Sequence, residues 1–316
     1  MDSLNTLCGA LEKSYSDRAA DRSAFAHTWK ECTEAFPPAL GPMYTVNELP
    51  SFHFACNAGD MGLAVLWIVQ AALIRPFVNR IISLQRTFPE SLSAIHPETI
   101  GSLAHSEDSN NPVTIQEEAG HIVINGLKKY ITGGLNSDFI LLTARKPGEE
   151  KVSHLIHIPA SMLPHGALQE LSLGTLETTS HASLRLQGLQ LPEEYVIPFE
   201  PGTMRKILKV QGILERSLIM QSYIGLLMYI AGRTEGLPES TFHRMHSLLN
   251  EHNAILKAQI DAVHAGKRIN PVSVDIRELS SIIETLKKHN AEHHGDTNTA
   301  MRLRFRDLEF FSRSGT

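Results

Sequence analysis

The hydrophobic period changes twice along this chain, and that change limits what it can fold into. From residue 1 to about 95 apolar residues recur at helical spacing. From about Thr99 to Pro201 they fall into short blocks broken by glycine and asparagine, and after Pro201 the helical period returns. The order predicts an α+β chain in three parts: an N-terminal helical part over 1–95, a central β domain over 96–202 and a C-terminal helical bundle over 203–316.

Within the first part, Met61–Leu84 is strongly apolar at helical spacing, while Pro37-Pro38 and Pro50 read as loops. In the second, Val113–Gln116, His121–Ile124, Lys129–Thr132 and Phe139–Ala144 read as strands. Asn125-Gly126 between them is a turn pair, because both residues tolerate positive φ. Ser153–Ile158, Ala182–Leu186 and Tyr195–Ile197 continue the β texture. In the third, Thr203–Gly232 predicts one long helix, apolar on most sides and so central to a bundle. Pro238-Glu239-Ser240 opens another, and Val272–His289 and Met301–Phe311 complete the set.

With 316 residues, 42% of them hydrophobic and 20% charged, the chain can build a packed core, which excludes wholesale disorder. A net charge of −5 gives no footprint for nucleic acid or an anionic membrane. Cys8, Cys32 and Cys56 are odd in number and far apart, with neither metal-type spacing nor a disulfide pattern, so a reducing cytoplasm is expected. Met1 to Glu12 has no charged start followed by an apolar run. Met61 to Leu73 is broken by Gln70 and closed by Arg75-Pro76, shorter than the ~20 apolar residues of a spanning helix. Ile213 to Ala231 carries Glu215 and Arg216 inside it, so both runs read as buried helices and no membrane partner is expected.

Sixteen histidines invite a metal reading through His154-x-x-His157, His243-x-x-His246 and the pair His289 and His293. There is no HExxH, and the first pair falls in a strand, where positions i and i+3 face opposite ways; solvated or capping histidines are the expectation, with no metal. No P-loop, nucleophile elbow or dinucleotide fingerprint occurs. Glu215 stands out instead. It sits within Ile213-Leu-Glu-Arg-Ser-Leu-Ile219, and its helical face holds Leu208, Gly212, Ile219, Ser222 and Leu226. A carboxylate there is either desolvated, with a raised pKa suited to proton abstraction, or tied up with Arg216 or solvent.

Local text then points to a family. Gly101-Ser-Leu-Ala-His-Ser-Glu107, Ile124-Asn-Gly-Leu-Lys-Lys-Tyr-Ile-Thr-Gly133 and Ser137-Asp-Phe-Ile-Leu-Leu142 resemble the middle domain of acyl-CoA dehydrogenases, where a "falTE" stretch precedes "NGxKxWIT" and "aDxxlv". Leu184-Arg-Leu-Gln-Gly-Leu-Gln-Leu-Pro192 is similar to that family's "vxFddvxVP", and Gln211-Gly-Ile-Leu-Glu-Arg216 to the helix that begins its C-terminal bundle. Phe305-Arg-Asp307 and Gly315-Thr316 are similar to its "RD…EGT" close.

The resemblance implies N-terminal helices, a β-barrel-like middle domain and a C-terminal helical bundle, with FAD as cofactor and dehydrogenation of an acyl thioester in a specialised pathway as activity. Ala104, His105 and Ser106 match the stretch that hydrogen-bonds the flavin, Tyr130 the aromatic packed on its ring, and Thr132 a hydroxyl near its reactive edge. Glu215-Arg216 matches the base position used by the isovaleryl and long-chain branches; at the position used by most members stands Ser314 or Gly315. The implied partner is a thioester of coenzyme A or of an acyl carrier protein, and a homodimer is expected. The family's "R-x-x-F" segment has no match between Gly232 and His252, and His293-His-Gly-Asp-Thr297 replaces its "GGxGY". Those departures fall on the adenosine end of the cofactor, and they keep open a second reading. In it a flavin-free relative is repurposed for proton transfer, cyclisation or elimination, or for binding alone.

Overall fold

A computed structural model describes residues 2–21, 25–40, 44–84, 96–106, 110–197, 202–271, 276–294 and 299–314. Two compact units emerge. A helical unit comprises Met1–Ile68, Leu173–Thr179 and Gly212–Thr316, and a β unit comprises Val69–Ser172 and Ser180–Gln211.

In the β unit, β1 (Gly101–Ala104), β4 (Phe139–Ala144), β5 (His154–Pro159) and β8 (Val196–Ile197) form one sheet in the order β1-β4-β5-β8. β2 (Thr114–Glu118), β3 (His121–Thr132), β7 (His181–Pro192) and β6 (Leu168–Glu170) form a second, in the order β2-β3-β7-β6. One core of Ile115, Ile122, Ile124, Ile140, Leu142, Ile156, Leu184 and their neighbours draws on strands of both sheets. β1 lies parallel to β4. At Gly101 its backbone is met by a side chain: the buried Gln70 accepts from Gly101 N at 3.0 Å and donates to Gly101 O at 2.8 Å. An amide thereby stands in for a missing strand partner.

Asn125-Gly126 is not a hairpin turn. β3 runs straight through it as a bulge against β7, with Gly126 at φ +131°. A Cβ there would lie 2.5 Å from Pro112 O, so both the conformation and the close approach demand glycine. The bulge spares the chain the reversal that this dipeptide usually signals.

The helical unit opens with α1 (Asp2–Lys13), α2 (Tyr15–Ala20), α3 (Phe25–Ala35), α4 (Pro50–Ala58) and α5 (Met61–Ile68). Pro50, expected in a loop, is the first residue of α4, where its missing N–H costs nothing. Helical backbone continues beyond Ile68 through a π-helical turn, Val69–Ile74, into α6 (Arg75–Leu84) of the β unit. The helical spacing expected over Met61–Leu84 is therefore present, and it is the apolar run that does not close at Arg75-Pro76. The wider π spacing directly before them absorbs the donor that Pro76 lacks. The run Met61–Asn79 is therefore long and apolar enough to cross a membrane, yet 89% of its most apolar window is buried inside the protein, as in a core helix.

The later helices are α7 (Thr203–Ala231), α8 (Glu239–His264), α9 (Ile276–His294) and α10 (Thr299–Ser314). Residues 221–227 of α7 are buried throughout, as its all-round apolar character requires. Tyr223 donates to Leu308 O of α10 at 3.0 Å. Arg304 of α10 lies over the rings of Tyr15 and Tyr229, 4.1 and 4.7 Å from their centroids. It also donates to the carbonyls of Ala58 and Gly59, so a cation caps the end of α4.

Two buried aspartates bind the segment 173–179 into this unit. Asp60 pairs with Arg18 at 2.5 Å, accepts from Thr178 Oγ1, and caps α5 by accepting from Leu63 N at 2.9 Å. Asp307 accepts from Thr175 Oγ1 and Leu176 N, each at 2.7 Å, and from Tyr15 Oη at 3.4 Å. Burial pushes the Asp307 carboxyl up to about 6 from its ordinary 3.8, against the pull of these hydrogen bonds. The folded chain therefore holds this proton more tightly than the unfolded one. Stability from the protonated form is full below the unfolded value and is lost as pH rises through about 6, in total about 3 kcal/mol. Asp307→Asn fixes the neutral state. Its stability relative to the native chain should rise by about 3 kcal/mol between about pH 4 and pH 7 in urea unfolding. A difference that does not change with pH would contradict this assignment.

Candidate functional site

Five of the six expected site residues come together in the β unit. β1 ends at Ala104, and the chain continues through His105 and Ser106 beside β3, where Lys129 N donates to Ser106 O at 3.1 Å. Lower on the same pair, Ser102 Oγ donates to Thr132 O at 2.9 Å. Ala104, His105, Ser106, Tyr130 and Thr132 thus form one ledge. His105 and Ser106 are exposed, Thr132 is half-buried, and Ala104 is buried.

The ledge is fixed from beneath by Lys128, a motif residue that sequence reasoning passed over. Its side chain is fully buried, and its ammonium donates to His105 O at 3.1 Å and to Thr143 Oγ1 at 3.2 Å. Thr143 in turn donates to Ala104 O at 3.3 Å, and its Oγ1 lies 3.1 Å from Nδ1 of His105. Burying a lysine is costly unless its donors are satisfied. Here that cost holds two consecutive backbone carbonyls, those of Ala104 and His105, in place. The signal was present in the alternation of β3, which puts Lys128 on the inward face, but a lysine is read as outward by default.

Tyr130 is unusual twice over. It is 64% exposed, the largest value among the described large hydrophobic residues, and its φ is +62°. It lies in the second register shift of β3 against β7, between Lys128 and Ile131. A bulge of this kind re-aims a side chain, and a tyrosine in the left-handed region is strained. Strain held on an exposed aromatic beside a fixed ledge is the pattern of a binding surface rather than of a core.

Glu215 lies in the helical unit, on α7. It is half-buried, and the apolar packing around its carboxyl raises the pKa to about 7, opposed by the neighbouring Arg216 guanidinium. It is therefore able to give or take a proton at neutral pH. Ser314 ends α10, and Glu107, Gly315 and Thr316 lie outside the described residues.

Among the described residues the histidines do not converge, and the side chain of His293 lies outside them. His154 and His157 face opposite ways on β5; the latter is fully buried beside Phe139 and Tyr195, its pKa lowered to about 4 by burial. His243 and His246 are exposed, and His243 lies 3.7 Å from Glu239. Among the described residues no group of three metal-ligating side chains occurs. The three cysteines are free thiols, and burial pushes Cys8 up to about 12 and Cys56 to about 11.

No protein-family model matches the sequence, and comparison with curated proteins gave no match either. Solved structures match over nearly the whole chain. The prolyl acyl carrier protein oxidase AnaB superposes with a TM-score of 0.71 at 14% identity, covering 98% of this chain and 94% of its own. Glutaryl-CoA dehydrogenase from Mycobacterium smegmatis gives 0.67 at 14%, with coverages of 98% and 88%. The FAD complex of PigA gives 0.65 at 15%, with coverages of 99% and 93%. The chain has the α+β fold of the acyl-CoA dehydrogenases and of the FAD-dependent oxidases built like them.

If Tyr130 is kept against its conformational cost, glycine at that position relieves strain and sacrifices little buried area. Tyr130→Gly should therefore raise stability by about 1 kcal/mol in chemical denaturation. A loss of that size would mean that the ring is a packing element instead.

Proposed function

We propose that this chain is an FAD-dependent α,β-dehydrogenase of an acyl thioester, with Glu215 as its base. One observation carries the reading: a glutamate on the long central helix, in mainly apolar surroundings, has its carboxyl raised to about 7. The fold shared with FAD-dependent dehydrogenases and oxidases adds support.

The residues of the ledge fit a flavin. A planar, amphipathic ring needs an aromatic face and hydrogen-bonding groups at its edge, and Tyr130 with the exposed Ser106 and the half-buried Thr132 offers both. When bound, FAD supplies the two-electron acceptor for the hydride that leaves Cβ. Glu215, as carboxylate, takes the α-proton, so the acyl chain loses one proton and one hydride and becomes a 2,3-enoyl thioester. Burial does two things for this step. It raises the proton affinity of the carboxylate to a useful value, and it keeps water from competing for the α-proton. Arg216 lies about 100° round the helix from Glu215, which leaves it to structural or cofactor contacts. Lys128, with Thr143, keeps the backbone of Ala104 and His105 from shifting while the ledge is loaded. The carrier is a thioester of coenzyme A or of an acyl carrier protein, and we assign the working unit as a homodimer.

The test is anaerobic. FAD-loaded protein is mixed with a panel of straight, branched and aminoacyl pantetheine thioesters, and bleaching of the flavin is followed. At least one member should bleach it in a single turnover. Turnover should rise with pH through about 7 as Glu215 loses its proton. Glu215→Gln should slow bleaching by ~10²-fold or more with thioester binding retained. A colourless protein that cannot be reconstituted, or equal rates in the variant and the native chain, would overturn the reading.

A further inference from the structure

Two glycines stand inside α7, Gly212 and Gly225, although glycine is a poor helix former that only proline exceeds. Gly225 has a packing reason: a Cβ there would lie 3.1 Å from the ring of Phe52 and 3.2 Å from its carbonyl oxygen. Gly212 has no such reason. Its φ is not positive, and among the described residues a Cβ would meet only Arg216 Nη1, at an ordinary contact distance of 3.8 Å. Neither backbone conformation nor close approach asks for glycine at this half-buried position. What its missing side chain leaves is an open notch in the helix surface.

The notch lies beside the proposed base. Glu215 and Arg216 follow Gly212 by three and four residues, and Ile219 continues its line two turns on. The two charged residues therefore flank a strip whose surface is Gly212 and the half-buried Ile219. The Arg216 guanidinium reaches back to Gly212 and borders the notch on the side away from Glu215. A base has to stand in contact with the carbon it deprotonates. Substrate Cα against Glu215 is thus a neighbour of the notch, because residues three apart on a helix lie about 5–6 Å from each other. Cβ has to face the hydride acceptor, so a straight acyl chain leaves the notch empty and its wall without contacts. A second carbon on Cα fills it and packs on Ile219.

We infer that Gly212 sets the acyl specificity of this chain: its notch receives a second carbon on Cα. The substrates are thioesters branched at Cα, or those in which Cα belongs to a saturated ring. This rests on the reading of Glu215 as the base and names the class of acyl group that reading leaves open.

The test is calorimetric titration of full-length Glu215→Gln, saturated with FAD where it binds, which keeps the notch and removes the base. Butyryl, 2-methylbutyryl and cyclopentanecarbonyl pantetheine are the probes. The two Cα-substituted thioesters should bind roughly 10-fold more tightly than butyryl, the discrimination a hydrophobic pocket draws from a methylene or two. Adding Gly212→Val should bring the three affinities level, because the valine occupies the notch itself. Gly212→Ala in the otherwise native chain separates specificity from packing. Alanine is the better helix former and meets no clash, so the melting temperature should rise by about 2 °C. A fall in that temperature would show that the glycine serves packing and would overturn the assignment. So would equal binding of the three thioesters before Gly212→Val, no binding of either Cα-substituted probe, or a preference that survives Gly212→Val. Failure of the base reading shows elsewhere, as equal turnover in Glu215→Gln and the native chain, and leaves these affinity ratios as they are.

Discussion

Two buried carboxylates hold the helical unit together, and everything proposed for α7 depends on them. Asp60 and Asp307 come from opposite ends of the chain, yet both reach the same strandless segment, 173–179. That segment lies in sequence between β6 and β7 but belongs to the helical unit. A loop with no ladder of its own must satisfy its polar groups elsewhere. Asp60 takes the hydroxyl of Thr178, and Asp307 takes the hydroxyl of Thr175 and the N–H of Leu176. Arg18 neutralises the first; burial pushes the carboxyl of the second up to about 6, against the pull of its hydrogen bonds from Thr175, Leu176 and Tyr15. Removing Arg18 alone would strand a buried charge at a cost of about 3–5 kcal/mol.

From these anchors the packing runs to α7. Arg304, three residues before Asp307, is sandwiched against Tyr15 and Tyr229, and Tyr223 of α7 donates to the residue after Asp307. Tyr229 also donates to Glu12 of α1 at 2.7 Å. On the other side of the helix, Gln221 donates to Val46 O and Asn253 Oδ1, and His252 meets Ser217 O at 2.7 Å. Such a helix cannot rotate without breaking several buried polar contacts. Glu215 therefore projects from a rigid element, which is what a proton-transfer group requires.

Much of the architecture was legible because it rests on local pattern. Phe139–Ala144 was bounded correctly by its β-branched and apolar run, and α7 was placed to within a residue of its end. What failed depended on neighbours. Asn125-Gly126 carries the chemistry of a turn, but pairing with β7 on both sides overrides it. Pro50 carries the chemistry of a loop, but it begins α4 instead. The six candidate residues could be named from text and the alternation of β3 held the signal for Lys128, whereas the strain at Tyr130 could not be read, because it arises from a bulge whose position is set across the strand pair. Asp307 was visible only as part of a motif, because its partners are more than a hundred residues away in sequence.

The central claim is that Glu215 exchanges the α-proton of a thioester. It is tested most directly by incubating the protein with an accepted acyl pantetheine thioester in deuterium oxide and following Cα by proton NMR. The account predicts loss of the Cα–H signal with the native chain at neutral pH and suppression of that loss by ~10²-fold or more in Glu215→Gln. Exchange at the same rate in both proteins would contradict it.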